Sequence, residues 1–200
     1  MTPEEKKSLL EKLFAFHTKR APGLAIGIDM VELALEKLGP VKDKINAVCE
    51  GQSCIIDVLQ NMTGCTYGNR YLRVLNNLGR FAFTLYDRAD GRGIRVFIDV
   101  DKIDPIETPE IARFFSRTRS PEVKKGGQAR ADSAEKIMSE FAGISRRIIA
   151  WYPVKVLKFE KPDVYPAAFC QKCHESFLVI KPEQKICGAC NGSDLYFEKT

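Results

Sequence analysis

The chain has 200 residues, 44% of them hydrophobic and 28% charged, the composition of a globular protein with apolar mass enough for a sizeable core. Its 14 glycines and 10 prolines exclude collagen-like and low-complexity chains, and no apolar run approaches the ~18 residues of a membrane-spanning helix. Lys and Arg number 31 against 26 Asp and Glu, a net +5 that permits an acidic partner without requiring one.

In chain order, Met1-Thr2-Pro3-Glu4-Glu5-Lys6-Lys7 lacks the charged-then-apolar order of a secretory leader, so a cytoplasmic protein is expected. Thr2, Pro3 and Glu5 supply an N-cap, a first-turn proline and a capping box, and Leu9, Leu10, Leu13, Phe14 and Phe16 predict a helix to about Phe16. A second helix begins near Pro22-Gly23, carries Leu24, Ile28, Val31, Leu35 and Leu38 on one face, and stops at Gly39-Pro40. Residues 45–49 alternate as a short strand. A third helix is predicted over Cys54–Met62, closed by Thr63-Gly64. Phe81, Phe83 and Leu85, then Asp90-Gly91-Arg92-Gly93, then residues 94–98 predict a β-hairpin. Thr108-Pro109-Glu110 and Ser120-Pro121-Glu122 open two more helices. Asp132 to Ile149 is helical in pattern up to Pro153, Val154 to Phe159 alternates as a last strand, and residues 161–166, with two prolines, read as a linker. Without a βαβ rhythm the expectation is α+β: a core domain over residues 1–160 with an antiparallel or mixed sheet, and a small module over 161–200.

Cysteine usage separates the two parts. Seven cysteines fall at positions 49, 54, 65, 170, 173, 187 and 190, and an odd count argues against a disulfide framework. Cys170 and Cys173, then 13 residues, then Cys187 and Cys190 form two Cys-x-x-Cys pairs. Each pair on a tight turn aims two sulfurs at one centre, and two turns complete the tetrahedron that a structural Zn²⁺ accepts, with no position left for substrate. The spacing resembles zinc ribbons and treble clefs, with a short hairpin expected between the pairs over Glu175–Lys185. A module this small depends on its metal to fold. His174 lies off the ligand spacing.

A second cluster occupies the first third: His17 at a helix end, and Cys54 and Cys65 bracketing a helix. On chemistry alone this is either a soft metal or reactive thiol centre, with Cys54 at a helix N-terminus where the dipole lowers a thiol pKa, or a set of small buried hydrophobes with a hydrogen-bonded histidine. The segments Pro22-Gly23-Leu24-Ala25-x-Gly27, Ser53-Cys54-x-x-Asp57-x-x-Gln60 and Thr63-Gly64-Cys65-Thr66-x-Gly68 resemble the FmdE-like family, named for formylmethanofuran dehydrogenase. The resemblance implies an α+β core like the catalytic-domain fold of glyceraldehyde-phosphate dehydrogenase, a homodimer, a C-terminal zinc finger, and a link to one-carbon metabolism. It also places the counterparts of His17, Cys54 and Cys65 in one site. The family's first block, His-x-His-x-Cys, is altered: Lys19 replaces the second histidine and Ala21 the cysteine. Neither residue can ligate a metal, so a second metal in the core is expected to bind weakly if at all.

The reading that follows is a zinc-binding accessory protein, not catalytic by itself, with a protein partner at its zinc module and no membrane contact. A metal- or thiol-dependent enzyme built on His17, Cys54 and Cys65 ranks second, because no complete nucleophile–base–orienter set can be placed from sequence. A nucleic-acid-binding protein ranks third. Residues 113–147 hold nine Lys and Arg against four Asp and Glu, but the stretch around Gly126-Gly127-Gln128 reads as a solvated basic loop, so only weak, salt-sensitive binding is expected.

Overall fold

The computed structural model describes residues 1–157 and 164–193. The chain divides into two compact units, Met1–Glu160 and Lys161–Thr200.

In the first unit, α1 (Pro3–His17) starts on the capping box that its sequence encodes. Thr2 Oγ1 accepts from the Glu5 amide at 3.2 Å and Glu5 Oε2 accepts from the Thr2 amide at 2.8 Å. Thr18, in the left-handed region at φ 62°, turns the chain out of the helix. Ala21 then caps α2 (Pro22–Leu38), which is buried along its length from Leu24 to Leu38 and packs on α3, α6 and the central strands. A helix apolar on most sides is a core helix.

Strand β1 (Ile45–Cys49), α3 (Ile55–Thr63) and β2 (Leu72–Val74) form a crossover that leaves β1 and β2 parallel. Strands β3 (Ala82–Asp87) and β4 (Arg92–Ile98) form the expected hairpin. Helices α4 (Pro109–Phe115), α5 (Pro121–Lys125) and α6 (Gly127–Ile148) follow, and β5 (Ile149–Lys155) closes a five-stranded sheet ordered β2-β1-β3-β4-β5. All pairings but β1–β2 are antiparallel. The mixed sheet with helices is the α+β architecture expected of the core.

Three expectations need correction. The last strand starts at Ile149, directly out of α6, and ends at Lys155; the stretch expected at 158–159 lies outside the described residues. Pro153 pairs with Ile94 within this strand. Because β5 is an edge strand, the missing N–H costs no ladder bond. Helix α6 begins at Gly127 rather than near Asp132, and the basic segment is not a loop. Gly126 and Gly127, at φ 106° and 65°, make a sharp break between α5 and α6, and the Arg130 guanidinium donates to the Val123 and Lys124 carbonyls that end α5. Strand β2, three residues long, was not predicted, since so short a run carries no period of its own.

In the second unit, β6 (Ala167–Phe169) pairs antiparallel with β7 (Ser176–Leu178). The hairpin therefore brackets Cys170 and Cys173 instead of lying between the two cysteine pairs. Its turn is the first Cys-x-x-Cys itself. Of the expected linker, residues 161–163 lie outside the described residues. Among the described residues, no helix is long and apolar enough to cross a membrane.

Candidate metal centre and thiol cleft

Cys170, Cys173, Cys187 and Cys190 bring their sulfurs within 4.8 Å of one another. Zn–S bonds of about 2.3 Å in a tetrahedron place sulfurs about 3.8 Å apart, and the Cys173–Cys187 separation is 3.9 Å. Each turn also aims backbone donors at sulfur: the Cys187 amide lies 3.3 Å from Cys170 Sγ, and the Cys190 amide 3.4 Å from Cys187 Sγ. Amides of Cys187 and Cys173 facing the Cys170 thiol lower its pKa to about 6, so one thiolate is ready at neutral pH. The donors, their spacing and their N–H support fit a metal ion with four soft ligands. His174 takes the left-handed conformation, φ 64°, and its amide donates to the Cys170 carbonyl at 2.9 Å. It shapes the turn, and it is not part of the donor set.

In the core unit, His17 ends α1 and Asp57 sits in the first turn of α3, with Nδ1 and Oδ2 2.6 Å apart. The other ring nitrogen, Nε2, lies 3.6 Å from the sulfur of Cys54, the N-cap of α3. Two glycines one turn apart allow this approach of helices. A Cβ on Gly23 would lie 3.4 Å from Cys54 Sγ, and one on Gly27 would lie 2.8 Å from Val58 Cγ2. Small residues at α2's surface let α3 come down close enough for Cys54 to meet His17.

The helix N-terminus does not lower the Cys54 pKa. Burial pushes the thiol up, and the nearby Asp57 carboxylate adds to the effect, so desolvation outweighs the dipole here. Cys65 does not join the pair. It is fully buried and its thiol donates to the Ile45 carbonyl at 3.1 Å, while buried Cys49 donates to Gly51 O at 3.2 Å. Among the described residues, the only group of three or more ligating side chains with all ligand atoms within 4.8 Å is the C-terminal quartet. Lys19 is solvent-exposed and Ala21 serves as the α2 cap. The core thus presents two donors, Cys54 and His17, which falls short of the set that a resident metal requires. The Thr63–Gly68 block proves to be loop architecture: Asn69 Oδ1 accepts from the Thr66 amide, its Nδ2 donates to Gly64 O, and Thr66 O receives the Leu72 amide that starts β2.

Cys54 opens into a cleft of about 880 Å³. Phe81, Phe114 and Phe115 wall it, packed edge to face with centroids 5.1–6.5 Å apart. Arg80, Arg95, Arg117, Arg119 and Lys124 also line it, and no Asp or Glu does. Arg95 is held by buried Glu50 at 2.6 and 2.8 Å, and Arg80 reaches the same carboxylate at 3.5 Å. Arg119 lies over the Phe114 ring at 5.3 Å. Sequence reasoning found the basic segment but not its place on the cleft wall. It also did not assign the role of Asp57, whose signal is its i+3 spacing from Cys54 on one helical face.

A mixed α+β domain with a thiol cleft, joined to a four-cysteine centre, defines the chain as a two-unit protein with a candidate metal site. Residues 16–156 match the family described as FmdE, molybdenum formylmethanofuran dehydrogenase operon, and the chain belongs to that family. A crystal structure from Syntrophus aciditrophicus, of an FmdE-like protein of tungsten formylmethanofuran dehydrogenase, is 34% identical with a TM-score of 0.75, over 96% of this chain and 95% of that one. An Archaeoglobus fulgidus protein named "Probable S-adenosyl-L-methionine-binding protein" is 28% identical over 207 residues. That match covers 96% of this chain but 55% of the relative, so the chain spans about half the relative's length.

Proposed function

We propose that the protein is a zinc-binding accessory protein of one-carbon metabolism, whose C-terminal quartet holds one structural Zn²⁺. The convergence of four cysteine sulfurs within 4.8 Å carries this reading. Cysteine at all four corners closes the site to substrate, so the ion supplies folding free energy to a module with little core of its own. One face of the β6–β7 hairpin leaves Phe169 and Leu178 exposed, which supports a protein partner or a second copy of this chain at the module. The link to formylmethanofuran dehydrogenase, the cytoplasmic location and the likeness of the core to the glyceraldehyde-phosphate dehydrogenase catalytic domain belong to the same reading. They are supported by family membership.

Cys173→Ser tests the zinc assignment. The variant should lose tight zinc binding while the core unit stays folded. A variant that keeps one zinc per chain with an ordered module would refute it.

A second reading, a thiol-dependent enzyme, is favoured by one observation: Cys54, His17 and Asp57 line up as nucleophile, base and orienter. S-adenosyl-L-methionine, the molecule in the archaeal relative's name, suits this cleft poorly. Its sulfonium and amino cations would face Arg117, Arg119 and Lys124 with no lining carboxylate. Nucleic-acid binding is also disfavoured. Arg113 and Arg147 are paired with Glu110 and Glu107, and the remaining cations of the segment's first half face into the cleft.

A further inference from the structure

We propose that the cleft is a reaction site for a small anionic acyl donor, with Cys54 as the acyl acceptor, His17 as its base, and Arg117, Arg119 and Lys124 as the anchor for the donor's negative group. The proposal rests on the thiol reading above and names its substrate class.

Three independent features of the site converge on it. The first is the relay. Asp57 on Nδ1 fixes the imidazole with that nitrogen protonated, which turns the Nε2 lone pair to Cys54 Sγ at 3.6 Å. A half-buried thiol beside Asp57 does not ionise on its own at neutral pH, so the contacting base has work that a surface cysteine would not give it. Asp57 is a positioning residue in this scheme. The second is charge. Arg117, Arg119 and Lys124 have no ion-pair partner among the described residues, unlike Arg95, whose guanidinium is occupied by Glu50. Three uncompensated cations on a concave wall free of carboxylates concentrate anions. The third is shape. The Phe81, Phe114 and Phe115 rings give an apolar body a surface to lie on between the cations and the sulfur.

The step balances without an oxidant. As the sulfur pair attacks the carbonyl carbon of an ester or thioester, the Sγ–H proton passes to His17 Nε2 and the carbonyl π pair moves onto oxygen. That pair returns as the bond to the leaving oxygen or sulfur breaks, and the leaving group takes the proton from His17. The products are a Cys54 thioester and one free alcohol or thiol. Attack by water in the same sense, with His17 again as base, restores Cys54 and releases a carboxylic acid.

The test uses the full, zinc-loaded chain and reads Cys54 by peptide mass spectrometry under iodoacetate and, separately, iodoacetamide. The ratio of the anionic to the neutral reagent's rate at Cys54 should exceed that of free cysteine by about tenfold, in line with the focusing that a cationic cleft produces. Lys124→Ala should lower that ratio, and the triple variant with Arg117→Ala and Arg119→Ala should bring it down to the free-cysteine value. His17→Ala should slow both reagents by roughly 100-fold with the ratio retained, and added imidazole should restore much of the rate, which it would not do for a merely structural residue. Asp57→Asn should slow both reagents and Asp57→Glu should recover part of the loss. Incubation with the succinyl thioester of N-acetylcysteamine should acylate Cys54 in preference to the acetyl thioester. A ratio at the free-cysteine value in the native chain would overturn the anionic substrate class and leave the relay standing. Rates unmoved by His17→Ala would overturn the relay itself. Modification of Cys54 by both iodo reagents without acylation by either thioester would overturn the acyl step.

Discussion

Glu50 shows how one residue fixes the cleft. It is 7% exposed at the end of β1, and its carboxylate takes both Arg95 donors, while its backbone pairs with Ala82 and Arg80. Hydrogen bonds and charge from Arg95 hold its carboxyl below the usual glutamate range, against the opposing effect of burial. A depressed pKa gives stabilisation that is present above the ordinary glutamate value of about 4.3 and lost as pH falls through the lower folded value. Glu50→Gln should therefore cost roughly 2 kcal/mol at neutral pH, less than the 3–5 of a fully buried broken pair because Arg95 keeps part of its hydration. Chemical denaturation at pH 7 and at pH 3.5 checks this. The native chain should lose more stability on acidification than the variant does, and parallel losses would show that Glu50 does not titrate as described.

Residue-scale legibility was uneven. The four zinc-type cysteines were readable because two short, fixed spacings determine a geometry. The pairing of His17 with Cys54 was suggested by family resemblance, but spacing could not show that Cys65 turns away to the Ile45 carbonyl. The cations of residues 117–124 were visible as charge. Their convergence with Phe81, more than 30 positions earlier in the chain, is a product of tertiary packing that no local pattern encodes.

Among the elements, α2 and α3 decide whether the thiol site exists. Their close packing depends on Gly27, where an added Cβ would meet Val58 Cγ2 at 2.8 Å, and Val58 is fully buried with little room to yield. Gly27→Ala gains about 1 kcal/mol of helix propensity and incurs an overpacking cost of about 1–3 kcal/mol, for a net loss near 1 kcal/mol. Combining it with Val58→Ala should give a double variant less destabilised than the sum of the two singles, as contacting residues do. Strict additivity in a thermal or denaturant titration would show that the two helices are not in the described contact. The helix starts at Thr2, Thr108 and Ser120 were legible because proline and capping residues act locally. By contrast, the helix-to-strand change at Ile148–Ile149 was misplaced. There the sheet edge, not any residue of the segment, makes a proline acceptable in β5.

At the scale of the whole molecule, the two units should respond separately to loss of metal. The core unit has its own buried cluster, from Leu13 through Ile149, and needs no ion to bury it. The C-terminal unit has short strands, a single buried cysteine side chain at Cys170, and exposed Phe169, Leu178 and Ile180, so its order depends on the bound metal. Removing the metal with a chelator should abolish hydrogen-exchange protection in residues 164–193 and leave the strands of the core protected. Acid should mimic the chelator, since metal binding requires thiolates and protonation competes with it.

The central claim is one closed, structural zinc centre and no resident metal at the Cys54 site. Elemental analysis of the freshly purified chain, expressed per mole of protein, tests it most directly. The account predicts one zinc per chain, falling to none in Cys173→Ser and unchanged in Cys54→Ser. Two metals per chain, or one that Cys54→Ser removes and Cys173→Ser does not, would contradict it.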